Sequence, residues 1–279
     1  MPPVYLQTHF GAPIGSDLLE AVRQRGVVGC RLDLQYVTDP AVAQAMLEEV
    51  AAAGLQALAI VNDGDQVRML HAAGALASRP VLELRNEPDL ATNERLTPSA
   101  YSALIPDFDT ALQTCDLTGY VGAISNLSTT ALAWLRLCQP AIAMSSDRVG
   151  VSVHRYPHGN AFERWDVPHP GFADRVAEVA ALERILAGRR WCVSETGYHL
   201  GPRVTKTFFG LRRTVSAWSE AQQYEQTRAE LGFWGTVNRP PDFVVVYQIG
   251  SPPPESLDKN VFGWRRYDGT WRPVADLLG

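Results

Sequence analysis

The feature that most constrains the fold is an alternation. Eight short apolar or β-branched runs, at 4–9, 27–34, 55–61, 80–86, 120–125, 149–155, 190–195 and 242–249, are separated by longer segments rich in alanine and leucine. Those at 17–25, 41–53, 66–77, 99–114, 129–137, 172–187 and 216–231 repeat apolar residues at helical spacing, and Ser16, Asp39, Asp65, Thr97 and Ser128 stand where N-terminal caps belong. Parallel strands need helical crossovers, and eight such units in about 250 residues predict an α/β fold, a (β/α)8 TIM barrel. A doubly wound sheet would carry a glycine fingerprint after its first strand, which Gly11-Ala-Pro-Ile-Gly-Ser16 does not match. Walker, H-E-x-x-H and G-x-S-x-G motifs are also absent. No low-complexity linker interrupts the chain, so residues 1–279 are expected to form one domain.

Composition narrows the partners. At 46% hydrophobic residues the chain can fill a large core, and a net charge of −5 offers no footprint for nucleic acid or an anionic membrane. No apolar run approaches the ~20 residues of a membrane span. A neutral or cationic ligand is expected. The first run begins at Val4 with no charged and apolar leader before it, so a secretion signal is either absent or removed, and the compartment and the oligomeric state stay open. Cys30, Cys115, Cys138 and Cys192 lack C-x-x-C spacing and read as buried free thiols, with Cys115 and Cys138 the one pair worth checking.

In a barrel of this kind, functional groups gather where strands end. The fourth run, Pro80-Val-Leu-Glu-Leu-Arg-Asn86-Glu87-Pro88, ends in an amide, a carboxylate and a residue that bars further pairing. The seventh ends in Ser194-Glu195-Thr-Gly197. Other run ends carry Gln7 and His9, Arg31 and Asp33, Asn62 and Asp63, Asn126, His154 and Tyr156, and Tyr247 and Gln248. Two carboxylates on two strand tips suggest cleavage of a glycosidic bond.

Asn86-Glu87-Pro88, Ser194-Glu195-Thr-Gly197, Arg31 within Gly29-Cys-Arg-Leu-Asp33, and His154-Arg-Tyr156 together resemble the clan A retaining glycoside hydrolases, among which the cellulase-like family 5 and the xylosidase-like family 39 look closest. The stretch from Phe262-Gly263 to Tyr267-Asp-Gly-Thr270 and Arg272-Pro273 is similar to the hairpin that leads such chains into a last helix. The resemblance implies a retaining β-glycosidase acting on a β-linked oligo- or polysaccharide, with Glu87 as acid/base and Glu195 as nucleophile. It also implies that Arg31 holds Glu195 as an anion, Tyr156 donates to it, Asn86 binds the sugar 2-hydroxyl and His154 lines the same subsite. No cofactor and no metal are implied. These families place a tryptophan at the eighth strand tip, where this chain has Tyr247-Gln248-Ile249-Gly250; Trp264 is a substitute or, on the other reading, core.

Duller roles stand beside these. Arg31 and Asp33 have a structural ion pair as the lesser reading, compatible with the site role, and Glu83 and Arg85 read as another below the site if the strand keeps its two-residue pleat. His154 and His158 do not share a helix, because Pro157 intervenes, which disfavours a metal-dependent hydrolase. A glycan-binding barrel without turnover is the other alternative. Loops 156–171 and 196–214 carry Phe162, Trp165, Tyr198, His199, Phe208 and Phe209, which either face sugar, as assigned to Trp165, or pack the loops down.

Overall fold

A computed structural model of the protein describes residues 1–8, 13–90, 95–156, 163–200, 203–206, 212–215, 218–249, 263–266 and 268–279, with 203–206 and 212–215 described by their backbone. The strands are β1 (Val4–Gln7), β2 (Gly29–Asp33), β3 (Gln56–Val61), β4 (Val81–Leu84), β5 (Gly119–Ile124), β6 (Val149–His154) and β7 (Trp191–Thr196), then an antiparallel hairpin of β8 (Arg203–Lys206) and β9 (Arg212–Val215), and β10 (Val244–Val246). All but the hairpin close into one parallel (β/α)8 barrel in chain order, with β10 between β7 and β1. Each of the eight predicted runs supplies one barrel strand.

The helices are α1 (Ser16–Arg23), α2 (Pro40–Ala52), α3 (Gly64–Ala72), α4 (Pro98–Thr114), α5 (Thr129–Met144), α6 (Arg175–Leu186) and α7 (Glu220–Trp234). Asp39, Thr97 and Ser128 cap α2, α4 and α5 as expected, each side chain accepting from a first-turn amide. Two caps differ. Asp63, not Asp65, accepts from the Gln66 amide at the start of α3, and Gly15 precedes α1, leaving Ser16 inside the helix. Helix α5 also runs on through Pro140 to Met144 instead of ending at 137, since packing on α4 and α6 outweighs one lost backbone bond. The predicted last helix is a short 3-10 turn, Pro273–Asp276, after a bridge between Arg265 and Trp271. All four cysteines are buried and free. Among the described residues no helix is long and apolar enough to cross a membrane.

The main core lies between the strands and the helices. A smaller cluster of Tyr5, Leu58, Tyr120, Cys192, Phe243 and Val245 fills the lower barrel interior, with Tyr5 stacked on Phe243 at 4.3 Å and Tyr120 edge-on to it at 5.4 Å. Glycine makes room for these rings. A Cβ on Gly150 would lie 2.6 Å from the Tyr120 ring, and one on Gly29 would meet the Tyr5 ring and come within 2.5 Å of the Gln56 carbonyl. Gly150→Ala is therefore expected to destabilise the barrel by about 1–3 kcal/mol. Urea unfolding measures this, and an unchanged midpoint would show that the Tyr120 ring is free to move aside.

Candidate active site

At the opposite end of the barrel the interior turns polar around one guanidinium. Arg31, 0% exposed, sits on β2 in register with Gln7 of β1. Its Nε donates to Glu83 Oε2 at 2.7 Å, and Nη1 donates to Gln7 Oε1 at 2.6 Å and to Glu195 Oε2 at 3.0 Å. Its Nη2 donates to Asn86 Oδ1 at 2.8 Å and lies 3.4 Å from His154 Nε2. Burial opposes the charge of Arg31, but Glu83 and Glu195 outweigh it and raise the pKa above its ordinary value. Arg31 is thus a fixed cation. Asp33 adds to the same field, but in place of the expected close pair with Asp33 the ion pairs of Arg31 are with Glu83 and Glu195.

The expected pair of Glu83 with Arg85 is corrected. The pleat does not stay regular: Arg85 and Glu87 have φ of 64° and 48°, and β4 ends at Leu84. Glu83 therefore points inward to Arg31, while Arg85 Nη1 donates to Asn62 Oδ1 at 3.2 Å. Left-handed residues with side chains cost about 1–3 kcal/mol each and persist where the surroundings impose them. Here the Arg85 amide donates to the Val61 carbonyl at 2.8 Å and that of Glu87 to the Ala123 carbonyl at 3.1 Å, so the tip is bonded on both sides. The turn delivers Asn86 and Glu87 to the barrel mouth.

Strand β6 brings the remaining groups. Its register against β7 shifts between Val153 and His154, which sets His154 opposite Glu195. The Arg31 guanidinium can only donate, so in its neutral form His154 accepts through Nε2 and donates through Nδ1 to Glu87 Oε1 at 3.2 Å, with Glu195 Oε2 3.9 Å away. The Tyr156 hydroxyl donates to Glu195 Oε1 at 2.5 Å. Burial and then Glu195 push the Tyr156 phenol well above its ordinary pKa, and burial followed by Glu195, Asp33 and Glu87 does the same to Tyr247. Both stay protonated donors. Glu195, 8% exposed, thus has each oxygen held by a separate group.

Ligand atoms of Glu87, His154 and Glu195 lie within 4.8 Å of one another, a spacing that could also hold a metal ion. Such an ion would share the site with the Arg31 guanidinium, already 3.0 Å from Glu195, and its charge would be opposed there.

Several predicted residues are used elsewhere. Asn62 donates to the Gln35 carbonyl at 2.7 Å, Asp63 caps α3, and Asn126 accepts from the Ser128 amide at 2.8 Å. Gln248 is buried, and its carbonyl accepts from the Trp264 amide at 3.0 Å; Trp264 itself is core. The peptide bond between Tyr247 and Gln248 is cis. Trp165, assigned to substrate, has its described contacts with the outer helices, its ring 5.8 Å from that of Phe233 and its carbonyl accepting from Arg175. Tyr198 and His199 are likewise buried rather than presented to solvent. His9, His158, Phe162, Phe208, Phe209 and Tyr267 lie outside the described residues. Two things went unseen in the sequence: the pairing of Glu83 with Arg31, and a buried ion cluster around Arg155, Arg175, Glu178 and Glu230 behind β6. The sole signal of the latter was an arginine directly after the end of the sixth strand run, next to His154.

No protein-family model and no curated protein matches the chain by sequence. Solved structures do match in fold. A family 39 glycoside hydrolase from Bacteroides cellulosilyticus superposes with a TM-score of 0.70 at 14% identity over 99% of this chain, which spans 64% of that one. A family 128 endo-β-1,3-glucanase from Sorangium cellulosum gives 0.63 at 15% identity, covering 99% of this chain and 97% of that one. A monomeric β-xylosidase from Caulobacter crescentus gives 0.67 at 14% identity, covering 99% and 67%. The shared property is the barrel.

The two carboxylates set the titration of His154. Burial lowers its pKa, but Glu195 and then Glu87 outweigh it, so the net shift is upward from the ordinary value. The stability it contributes is full below the unfolded pKa of about 6.5 and is lost as pH rises through the higher folded value. Nitrogen-detected NMR should find His154 titrating above the ordinary histidine range, and Glu195→Gln should bring it down. A titration unmoved by Glu195→Gln would break the link between the two side chains.

Proposed function

We propose that the protein is a retaining β-glycosidase of the clan A type that hydrolyses a β-linked oligo- or polysaccharide by double displacement through Glu87 and Glu195. The observation that carries this reading is the approach of the two carboxylates, whose nearest oxygens are no more than 4.8 Å apart. Retaining enzymes hold their carboxyl groups at about 5–5.5 Å, whereas inverting ones leave room for water at ~6.5–9.5 Å. The two environments also differ as the two roles require. Glu195 takes hydrogen bonds from Arg31 and Tyr156, one on each oxygen, which hold the carboxylate in place for attack, while Glu87 has the His154 ring beside it.

In the first step a Glu195 oxygen bonds to the anomeric carbon as the glycosidic C–O bond breaks and Glu87 gives its proton to the departing oxygen. With Glu195 esterified its negative charge is gone, and Glu87 can act as base. It removes a proton from water, the water oxygen bonds to the anomeric carbon, and the carboxylate of Glu195 leaves. Asn86, fixed by Arg31, is the candidate partner of the 2-hydroxyl, and Tyr156 donates to Glu195, whose charge the Tyr247 phenol also feels. Neighbours of similar fold include fungal β-1,4-galactanases and a family 128 endo-β-1,3-glucanase in complex with laminarihexaose, which supports a glycan substrate.

Proton NMR of a cleaved aryl β-glycoside or fluorogenic oligosaccharide should show the β-anomer formed first; an α-product would make the enzyme inverting. Glu195→Gln should lower turnover by roughly 10⁴-fold or more, the scale on which loss of a nucleophile acts. Glu87→Ala should slow substrates with poor leaving groups by roughly 10²–10⁴-fold and activated aryl glycosides much less, with azide restoring turnover as the β-glycosyl azide. Wild-type rates in Glu195→Gln exclude it as nucleophile. A chelator is expected to leave activity unchanged; reversible silencing would favour a metal at Glu87, His154 and Glu195.

A further inference from the structure

The tip of β6 is gripped from both sides of the barrel wall. Inside, His154 and Tyr156 reach Glu87 and Glu195. Between them Arg155 turns outward and is also fully buried, its Nε donating to Glu178 Oε1 at 3.3 Å, Nη1 to Glu230 Oε2 at 3.1 Å and Nη2 to the Val167 carbonyl at 2.7 Å. Arg175 of α6 completes the cluster, donating to both oxygens of Glu230 at 3.1 and 3.2 Å and lying 4.2 Å from the Phe233 ring centre. Tyr198, two residues beyond β7, donates to Glu230 Oε2 at 2.8 Å. His169 donates its amide to Glu178 at 2.8 Å, and its ring lies 3.0 Å from the same oxygen.

Two arginines and two glutamates balance in charge here, none of them more than 4% exposed. Buried ion pairs seldom stabilise a fold more than apolar side chains of equal volume would, but they do impose geometry. This cluster joins the segment that follows β6 to Glu178 on α6 and Glu230 on α7, and the segment that follows β7 to the same Glu230. The Arg155 amide donates to the Glu195 carbonyl at 2.8 Å, so the outer guanidinium, the strand tip and Glu195 are successive links of one chain of bonds.

We propose that Arg155, Glu178 and Glu230 are positioning residues: the outer ion cluster sets the turn of the β6 tip and thereby places the Tyr156 hydroxyl on Glu195 and the His154 ring on Glu87. The kinetic consequence rests on the glycosidase reading; the geometric one does not. Glu178→Gln keeps the shape and removes the charge. Its crystal structure should show the Tyr156 to Glu195 contact, now 2.5 Å, opened beyond hydrogen-bond reach, past about 3.5 Å. On an aryl β-glycoside kcat should fall by roughly ten- to a hundredfold with KM little changed, as misplacement of about 1 Å does. Tyr156→Phe should lose a similar factor, and the double variant should lose no more than the larger single one, because both act through one contact. If Glu178→Gln does not fold, Tyr198→Phe removes one bond to Glu230 without a charge and should shift the contact and kcat in the same direction. An unchanged Tyr156 to Glu195 distance, or losses that multiply in the double variant, overturns the proposal. If the wild type cleaves no β-glycoside at all, the glycosidase reading fails, and the distance alone still decides the placement.

Discussion

The site depends on a single buried cation. Arg31 has given up all of its water, and the loss is offset only because five side chains from four strands and their tips converge on it. Each of its nitrogens has a fixed direction, so the planar fork acts as a template. It spaces Gln7, Glu83, Asn86, His154 and Glu195 around one plane and determines which face of His154 is left for Glu87. A lysine could supply the charge but not the five directions.

Irregular backbone does the rest of the placement. A parallel barrel built from uniform strands would alternate side chains in and out, and no two consecutive tip residues could both serve the mouth. The left-handed residues Arg85 and Glu87 and the register shift at His154 break that alternation where β4, β6 and β7 end. The Arg85 amide is bonded to β3 and that of Glu87 to β5, so the neighbouring strands together hold the strained tip in place.

Two ion clusters flank the same strand, and they differ in kind. The inner one joins a single arginine to Glu83 and Glu195, with His154 and Glu87 at its edge, so negative groups outnumber the fixed cation and a proton is readily held. The outer one is balanced, closed to water and bonded to loop carbonyls. Groups that must exchange protons suit the first setting, and groups that must only stay in place suit the second.

From the sequence alone, the order of strands and helices, three of the helix caps, the free cysteines and the strand tips bearing Glu87, Glu195, Arg31, His154 and Tyr156 were all legible, because each depends on local periodicity or on a residue's own chemistry. The capping box of Ser219 and Gln222 has the same local origin, in S-x-x-Q spacing. Glu83's choice of Arg31 over Arg85 was not legible, since it follows from two left-handed residues that no propensity predicts. Nor was the use of Trp165 and Tyr198 as anchors for α6 and α7, because an aromatic residue in a loop looks the same in sequence whether it faces solvent or a buried arginine. Closing the barrel decides such matters: it brings together charges that lie up to 164 positions apart in the chain, and their pairing minimises buried charge over the whole set rather than along any one strand.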